Sequence, residues 1–193
     1  MMKPVFLIGY MGCGKTTLGK VLARQMGLRF VDLDDLIEAR QGCPILEIFD
    51  ELGEGRFREL ETMALKEVSA MADVVVSCGG GTPCHGDNMQ LMNHAGITVW
   101  LTTSAERITA RLLLPDQKAK RPKIATLPDA AVLPLVESEL QVRSPFYSQS
   151  QIQFDSTDIE TAEATERTAR RLAARLTGGC IVSGPSDLPL SEK

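Results

Sequence analysis

The stretch Gly9-Tyr-Met-Gly-Cys-Gly-Lys-Thr16 decides the fold, because it matches the pattern G-x-x-x-x-G-K-[ST] of phosphate-binding loops. The apolar run Val5–Ile8 precedes it and a helical pattern over Lys15–Met26 follows it, so the loop joins a buried strand to a helix. Glycines let the N–H groups of such a loop point inward, and the helix N-terminus adds positive potential. The segment therefore predicts a site for nucleotide phosphates, with Lys15 facing the β- and γ-phosphates and Thr16 offering a hydroxyl to Mg²⁺.

Composition and charge predict one globular domain with a small-molecule partner. The chain has 193 residues and a net charge of −4, with 21 Lys and Arg against 25 Asp and Glu. With no basic run, this balance argues against a nucleic-acid or anionic-membrane partner. The five cysteines contain no C-x-x-C pair, so neither a disulfide framework nor a zinc site is expected. No apolar stretch approaches about 18 residues, and we expect a cytoplasmic protein without a signal peptide or membrane span.

Strand-like runs alternate with helical patterns, which predicts an α/β fold with a parallel sheet covered on both faces. The predicted strands are Val5–Ile8, Arg29–Asp32, Val74–Cys78, Ile97–Leu101 and Ile152–Phe154. The predicted helices are Lys15–Met26, Asp35–Gln41, Ile45–Leu52, Gly55–Met71, Asp87–His94, Ala105–Leu112, Ala130–Gln141 and Ile159–Leu176. The last helix is expected to begin at a Thr157-x-x-Glu160 capping box. Leu113–Pro128 is aperiodic and basic, as in a lid or a disordered loop, and 178–193 is expected to be a flexible tail.

Polar groups follow the second and third predicted strands, where ligands bind in open α/β sheets. The two-residue period of an extended chain places Asp32 and Asp34 on one side, facing the phosphate site. One carboxylate would hold Mg²⁺ through water and the other would accept a substrate proton; alternatively, Asp34 or Asp35 only caps the next helix. The triple glycine Gly79–Gly81 either exposes N–H groups to a ligand or is only a turn.

Arginines form a third group of candidates. Arg56 and Arg58 lie in the segment Phe49–Glu61, at the start of the predicted helix Gly55–Met71, and Arg143 precedes Ser-Pro-Phe-Tyr. A pair of guanidinium groups suits a carboxylate substrate, although most surface arginines are only solvated. Arg111 and Arg121 lie near and within the aperiodic segment, where a mobile cation would close over a triphosphate.

Taken in order, these segments resemble the shikimate kinase family, which has the P-loop NTPase fold of the nucleoside-monophosphate-kinase type. The resemblance covers about Val5–Leu176. It rests on the segments Gly9–Thr17, Asp32-Leu-Asp34, Phe49-x-x-x-Gly-Glu-x-x-Phe-Arg58-x-x-Glu61, Gly79–Gly81, Arg121-Pro122 and Arg143-Ser-Pro-Phe-Tyr147. It implies a three-layer α/β/α architecture with a five-stranded parallel sheet in a single domain over 1–177, a substrate-binding subdomain over 34–61 and a lid over 113–124.

The resemblance also implies an activity, the transfer of the γ-phosphoryl group of ATP to the 3-hydroxyl of shikimate, with Mg²⁺ as the metal. Asp34 would bind the ring hydroxyls and act as general base, and Arg58 and Arg143 would grip the carboxylate. The N–H of Gly80, flanked by Gly79 and Gly81, would donate to the substrate.

On the nucleotide side, the resemblance implies that the phosphates are bound by Gly12, Cys13, Gly14, Lys15, Thr16 and Thr17. Thr16 would ligate Mg²⁺ with Asp32 behind a water molecule. Arg111 would lie against the adenine, and Arg121 would reach the phosphates from the lid, joining Lys15 and Asp34 as a catalytic residue. A monomer is expected.

Two other functions compete with this interpretation. A gluconate-type or other small-polyol kinase would share the loop and the size, and an anionic sugar acid would also suit a pair of arginines. A nucleotide-binding regulatory protein is less favoured, because guanine recognition usually needs Asn-Lys-x-Asp, and neither Asn88 nor Asn93 begins that pattern.

Overall fold

A single sheet of five parallel strands forms the centre of the protein in the computed structural model, which describes residues 1–119 and 121–178. The strands are β1 (Val5–Ile8), β2 (Arg29–Asp32), β3 (Val74–Ser77), β4 (Ile97–Thr102) and β5 (Ile152–Asp155). Their order across the sheet is β2-β3-β1-β4-β5, and every neighbouring pair is parallel. The phosphate loop therefore leaves the central strand, and the loops after β2 and β3 lie on one side of it.

Helices cover both faces of the sheet, which confirms the three-layer α/β/α prediction. They are α1 (Lys15–Met26), α2 (Leu33–Gln41), α3 (Ile45–Ser69), α4 (Asn88–Ala95), α5 (Ala105–Leu112), α6 (Pro115–Ala119), α7 (Pro122–Ala125), α8 (Asp129–Tyr147) and α9 (Ala162–Leu176). Phe6 and Ile8 of β1 pack with α2, α3, α4 and the end of α8. Val5 and Leu7 face the other way and pack with α1 and α9. This alternation along one buried strand is what holds the phosphate loop between two helical layers.

Helices α2 and α8 extend beyond the ranges predicted from the sequence. Helix α2 begins at Leu33, two residues earlier than predicted, because the side chain of Asp32 caps it by accepting from the N–H of Asp34. The break predicted between Ile45–Leu52 and Gly55–Met71 is present within α3, where Gly53 has the non-helical angles φ 77° and ψ 171°. Helix α8 continues to Tyr147 and tolerates Pro145 in its last turn.

The predicted capping box at the start of α9 is wrong. The cap is Thr161, whose hydroxyl accepts from the N–H of Ala164 at 3.1 Å. The Thr157 hydroxyl lies 3.2 Å from that of Thr103 instead, and Glu160 accepts from the N–H of its neighbour Ile159. Both side chains of the expected box are thus engaged elsewhere, and the helix begins one turn later.

The prediction of an aperiodic segment over Leu113–Pro128 is also wrong in part, because that segment contains the short helices α6 and α7. Both begin at a proline, whose fixed φ suits the first helical turn. Apart from Gly178, the tail predicted over 178–193 lies outside the described residues, as does Lys120. In the described part of the chain, no helix is both long and apolar enough to cross a membrane.

Candidate active site

A cleft of about 920 Å³ opens at the carboxyl edge of the sheet, between the phosphate loop and the segment that joins α5 to α7. The predicted site residues that line it are Gly12, Gly14, Lys15, Thr16, Thr17, Asp32, Asp34, Gly79, Gly80, Arg111 and Arg121. Lys20, Ser77 and Gln117 line it as well. The cleft thus has cations along its length, with Asp32 and Asp34 in one part and Glu160 beside Arg111 in another, an arrangement suited to a polyphosphate beside a hydroxylated acceptor.

The phosphate loop takes a backbone path that requires glycine at two of its corners. Gly9 has φ 136° and Gly14 has φ 98°. A Cβ at Gly9 would lie 2.7 Å from the carbonyl oxygen of Leu101, and one at Gly14 would collide with the side chain of Ile159. Because α1 begins directly after this loop, its free N–H groups point toward the cleft. Within the loop, the side chain of Cys13 is buried, and its N–H donates to the Tyr10 carbonyl at 3.2 Å.

The Lys15 ammonium group is folded across this loop. Its Nζ donates to the carbonyl oxygens of Gly9 (2.8 Å) and Tyr10 (3.0 Å), and the side chain is 9% exposed. A charged amine held by two carbonyls at the wall of a cleft is available to phosphate oxygens, which are stronger acceptors.

Three side-chain oxygen atoms that could bind a metal ion lie close together where α1 begins and where β2 and β3 end. The Thr16 hydroxyl donates to Asp32 Oδ2 at 2.8 Å and lies 3.2 Å from the Ser77 hydroxyl. Sequence reasoning missed Ser77, whose only signal was a polar residue at the end of a buried strand. Hydroxyl and carboxylate oxygens are the donors that Mg²⁺ prefers, and the open cleft beside them leaves room for water and phosphate ligands. The residues therefore fit Mg²⁺. Within 1–119 and 121–178, no three His, Cys, Asp or Glu side chains form a metal-binding group.

Asp34 reaches the cleft from the first turn of α2. The expectation that Asp32 and Asp34 share a side through an extended chain is wrong, because Asp34 is helical, yet both carboxylates line the same cleft. The pKa of Asp34 is raised from 3.8 to about 6, first by burial and then by the carboxylates of Asp32 and Glu61, while the Lys15 cation acts in the opposite direction. A carboxyl with a pKa near the working pH is suited to accept a proton.

The two predicted carboxylate-binding arginines flank the triple-glycine turn. A Cβ at Gly81 would lie 2.8 Å from Arg58 Nη1, and one at Gly80 would lie 3.4 Å from Arg143 Nη1. The Gly80 carbonyl is held by the Tyr147 hydroxyl at 2.6 Å. Arg58, Arg143 and Gly81 are therefore adjacent to the cleft lining rather than part of it, and the two guanidinium groups lie beside neighbouring residues of the same turn.

Arg58 is fixed by two carboxylates. Its Nη1 pairs with Glu61 at 2.8 Å and its Nη2 pairs with Glu54 at 3.0 Å. Glu61 is 1% exposed and also accepts from the Thr82 hydroxyl, whereas the Glu54 side chain is 67% exposed. The sequence motif contained Glu61 without revealing this role. Arg56, the other arginine of that segment, pairs with Glu59 away from the cleft.

The two arginines at the opposite wall have separate partners. Arg111 donates to the Gly12 carbonyl at 3.0 Å and to the Thr157 carbonyl and Glu160 Oε1 at 2.9 Å each. Arg121 donates to the backbone and side-chain oxygens of Gln117. Arg111 thus ties the phosphate loop to the loop after β5, while the only protein acceptors of Arg121 among the described residues belong to α6.

Comparison with known proteins assigns the chain to a family. A family model described as shikimate kinase matches residues 11–174. The curated shikimate kinase of Phocaeicola vulgatus is 43% identical over 175 residues, which cover 91% of this chain and 99% of that protein. A crystal structure of shikimate kinase from Bacteroides thetaiotaomicron is similar with a TM-score of 0.87 and 41% identity, covering 92% of this chain and 99% of that one.

A shikimate kinase from Acinetobacter baumannii, solved in complex with shikimate, is similar with a TM-score of 0.77 and 29% identity, covering 94% of this chain and 96% of that one. A gluconokinase from Sinorhizobium meliloti shares the fold alone, with a TM-score of 0.52 and 16% identity. The phosphate loop, the flanked glycine turn and the extent of these matches lead to one assignment. The chain belongs to the shikimate kinase family.

Proposed function

We propose that this protein is an ATP-dependent shikimate kinase that transfers the γ-phosphoryl group of ATP to the 3-hydroxyl of shikimate. The observation that carries the proposal is the pair Arg58 and Arg143, which approach one glycine turn beside both Asp34 and the phosphate loop. Two guanidinium groups recognise a carboxylate, and the nearby carboxylate of Asp34 recognises hydroxyls, so the acceptor is a hydroxylated acid. The shared family favours shikimate over gluconate and over a regulatory role without chemistry.

In the acceptor half of the site, Arg58 and Arg143 bind the substrate carboxylate and the N–H of Gly80 donates to the substrate. Asp34 binds the ring hydroxyls and takes the proton of the attacking hydroxyl. This assignment is supported by the pKa of Asp34, which burial and the neighbouring carboxylates raise to about 6, so the carboxylate is ionised at neutral pH and still accepts a proton.

In the nucleotide half, the N–H groups of residues 12–17 cradle the phosphates and Lys15 leaves its carbonyl partners for the β- and γ-phosphate oxygens. Arg121 approaches the same phosphates from the lid, and Arg111 lies on the adenine side of the cleft. Charge that develops on the transferred group is stabilised by these fixed cations more than the charge of bound ATP is.

Thr16 and Asp32 would hold Mg²⁺, the first directly and the second through water, with Ser77 beside them. When bound, the ion neutralises phosphate charge. Asp32 also caps α2, so its position is fixed by a backbone N–H before any ligand arrives.

The remaining parts of the proposal concern organisation. A single kinase domain over 1–177 contains a substrate-binding subdomain over 34–61 and a lid over 113–124. The enzyme acts as a cytoplasmic monomer.

Phosphorylation assays test the function directly. Purified protein with ATP and Mg²⁺ should produce ADP when shikimate is added, with little turnover on gluconate or without an acceptor, and ³¹P NMR should place the new phosphate on the 3-hydroxyl. Equal turnover of gluconate, or ADP production that is independent of any acceptor, would contradict the proposal.

A further inference from the structure

Glu139 of α8 connects three parts of the protein through one carboxylate. Its Oε2 accepts from Arg143 Nη2 at 2.7 Å and from the Tyr10 hydroxyl at 2.9 Å. Its Oε1 lies 3.8 Å from the Nζ of Lys123. Tyr10 belongs to the phosphate loop, Lys123 to α7 and Arg143 to α8 itself, one turn after Glu139 and next to the glycine turn. The Glu139 side chain is 20% exposed, so these contacts form in partly desolvated surroundings.

The guanidinium group of Arg143 has little freedom as a result. Glu139 holds one edge, and the ring of Tyr10 lies 5.3 Å from the guanidinium carbon. The other edge, Nη1, faces Gly80, whose carbonyl is fixed by Tyr147. A free arginine side chain samples many rotamers, and each rotamer that is fixed before binding reduces the entropy cost of binding.

We propose that Glu139 is a positioning residue that orients Arg143 so that its free edge meets the substrate carboxylate. The proposal rests on the assignment of Arg143 as a carboxylate-binding residue in the proposed function. An acidic residue one turn before a basic one is the favourable order on a helix. Glu139 thus binds one edge of the planar Arg143 guanidinium group, and the other edge remains for the substrate carboxylate.

Tyr10 supports this orientation from the phosphate loop. Burial raises the pKa of Tyr10, and the Glu139 carboxylate raises it further, so the hydroxyl stays protonated and donates. The Tyr10 carbonyl accepts from Lys15 Nζ at 3.0 Å. One residue of the phosphate loop therefore contacts both the phosphate-binding lysine and the carboxylate that orients the acceptor arginine.

The same contact has an opposite interpretation, in which Glu139 competes with the substrate carboxylate for Arg143. Two substitutions separate the alternatives. Glu139→Gln keeps an oxygen acceptor for both Arg143 and Tyr10 but removes the charge, and Glu139→Leu removes acceptor and charge together. Competition predicts tighter shikimate binding in both variants, whereas positioning predicts weaker binding in the leucine variant and recovery in the glutamine variant.

The experiment measures kcat and both KM values for the parent and for variants at position 139. Glu139→Leu should raise the KM for shikimate about tenfold, the effect of losing a hydrogen bond to a charged group. The KM for ATP should stay within about twofold and kcat within about threefold of the parent, and Glu139→Gln should recover most of the shikimate KM. Glu137→Leu, on the exposed side of the same helix, is the matched control and should behave like the parent.

Tyr10→Phe gives a second route if Glu139→Leu does not fold. It removes only the hydroxyl and should raise the shikimate KM about threefold, with a smaller effect when combined with Glu139→Gln than alone, because the two residues act through one contact. A lower or unchanged shikimate KM in Glu139→Leu, or a glutamine variant as impaired as the leucine variant, would overturn the inference. A parent enzyme that does not phosphorylate shikimate would refute the proposed function instead.

Discussion

Replacing Asp34 with asparagine should abolish most turnover and yet stabilise the fold at neutral pH. Burial, together with the carboxylates of Asp32 and Glu61, raises the pKa of this carboxyl from 3.8 to about 6. A carboxyl with a folded pKa above its unfolded value binds its proton more tightly in the native state. Its contribution to stability therefore falls as the pH rises from about 4 to about 6, and above pH 6 the ionised group carries the full cost.

The magnitude follows from that shift. About two pKa units correspond to about 3 kcal/mol at 1.36 kcal/mol per unit. Because the Asp34 side chain is only partly buried, solvent screening reduces this to a working value of about 1.5 kcal/mol. For a chain of this size, the Asp34→Asn variant should have a Tm about 3–6 °C above the parent at pH 7.5. Loss of the base and hydroxyl acceptor should lower kcat at least about a hundredfold.

Thermal unfolding at pH 7.5 and pH 5, together with steady-state kinetics, tests both halves of this prediction. The gain in Tm should shrink at pH 5, where the native carboxyl is already protonated in most molecules. Asp50→Asn removes an exposed carboxylate of α3 and is the control, with little change expected in Tm or turnover. The reasoning fails if Asp34→Asn is no more stable than the parent at pH 7.5. It also fails if kcat/KM of the parent stays constant as the pH falls through about 6.

Three other predictions concern the cations of the site. Lys15→Ala should lower kcat about a hundredfold to a thousandfold with the fold intact by circular dichroism, because the lysine stabilises charge that develops during transfer; near-parental turnover would remove it from the mechanism. Arg58→Lys and Arg143→Lys should each raise the shikimate KM about tenfold without changing the ATP KM, since lysine lacks the planar fork; an analogue without the carboxylate should be insensitive, and equal sensitivity would disprove carboxylate binding. Arg121→Ala should lower kcat about a hundredfold but leave shikimate binding nearly unchanged, and in the parent trypsin should cleave after Lys118 more slowly only when ATP and shikimate are both bound. If the cleavage rate does not change with ligands and Arg121→Ala has normal turnover, the segment is not a lid.

Elements bounded by strong local signals were predictable from the sequence. Helix α1 matches its prediction because glycines with left-handed backbone angles flank it, Gly14 at φ 98° and Gly27 at φ 66°. The strands β1 and β2 also match, since each is a short run between the loop signals and the helical patterns. In these regions the local preference and the global fold agree.

Predictions failed where a distant contact decides between equal local candidates. Asp32, Asp34 and Asp35 are all good caps, and Asp32 is the one that also meets the Thr16 hydroxyl from another element. In the same way, Glu160 pairs with Arg111 of α5 instead of forming the expected capping box with Thr157. The side chains of Asp32 and Thr16 are 16 residues apart in the sequence, and those of Glu160 and Arg111 are 49 apart. A local sequence pattern cannot indicate contacts over such separations.

The candidate site follows the same rule. Most of the cleft-lining residues were found from motifs, whereas Ser77 in the lining and Glu139 beside Arg143 were missed, because their contacts form only between elements. Ser77 meets Thr16 across 61 residues, and Glu139 meets Tyr10 across 129. Each is an ordinary polar residue in sequence and becomes significant only through the partner that the fold brings to it.

The partners of the arginines indicate which contacts persist when an acceptor binds. Arg58 pairs with the buried Glu61 and with the exposed Glu54. Breaking a buried pair leaves an uncompensated charge and costs several kcal/mol, whereas an exposed pair contributes at most about 1 kcal/mol. If Arg58 binds the substrate carboxylate as proposed, we expect the carboxylate to displace Glu54 and leave the ion pair with Glu61 in place. Arg143 is likewise paired at one edge, with Glu139. We therefore expect a substrate carboxylate to meet two guanidinium groups that are already oriented, so that more of the binding energy is available to align the hydroxyl with Asp34.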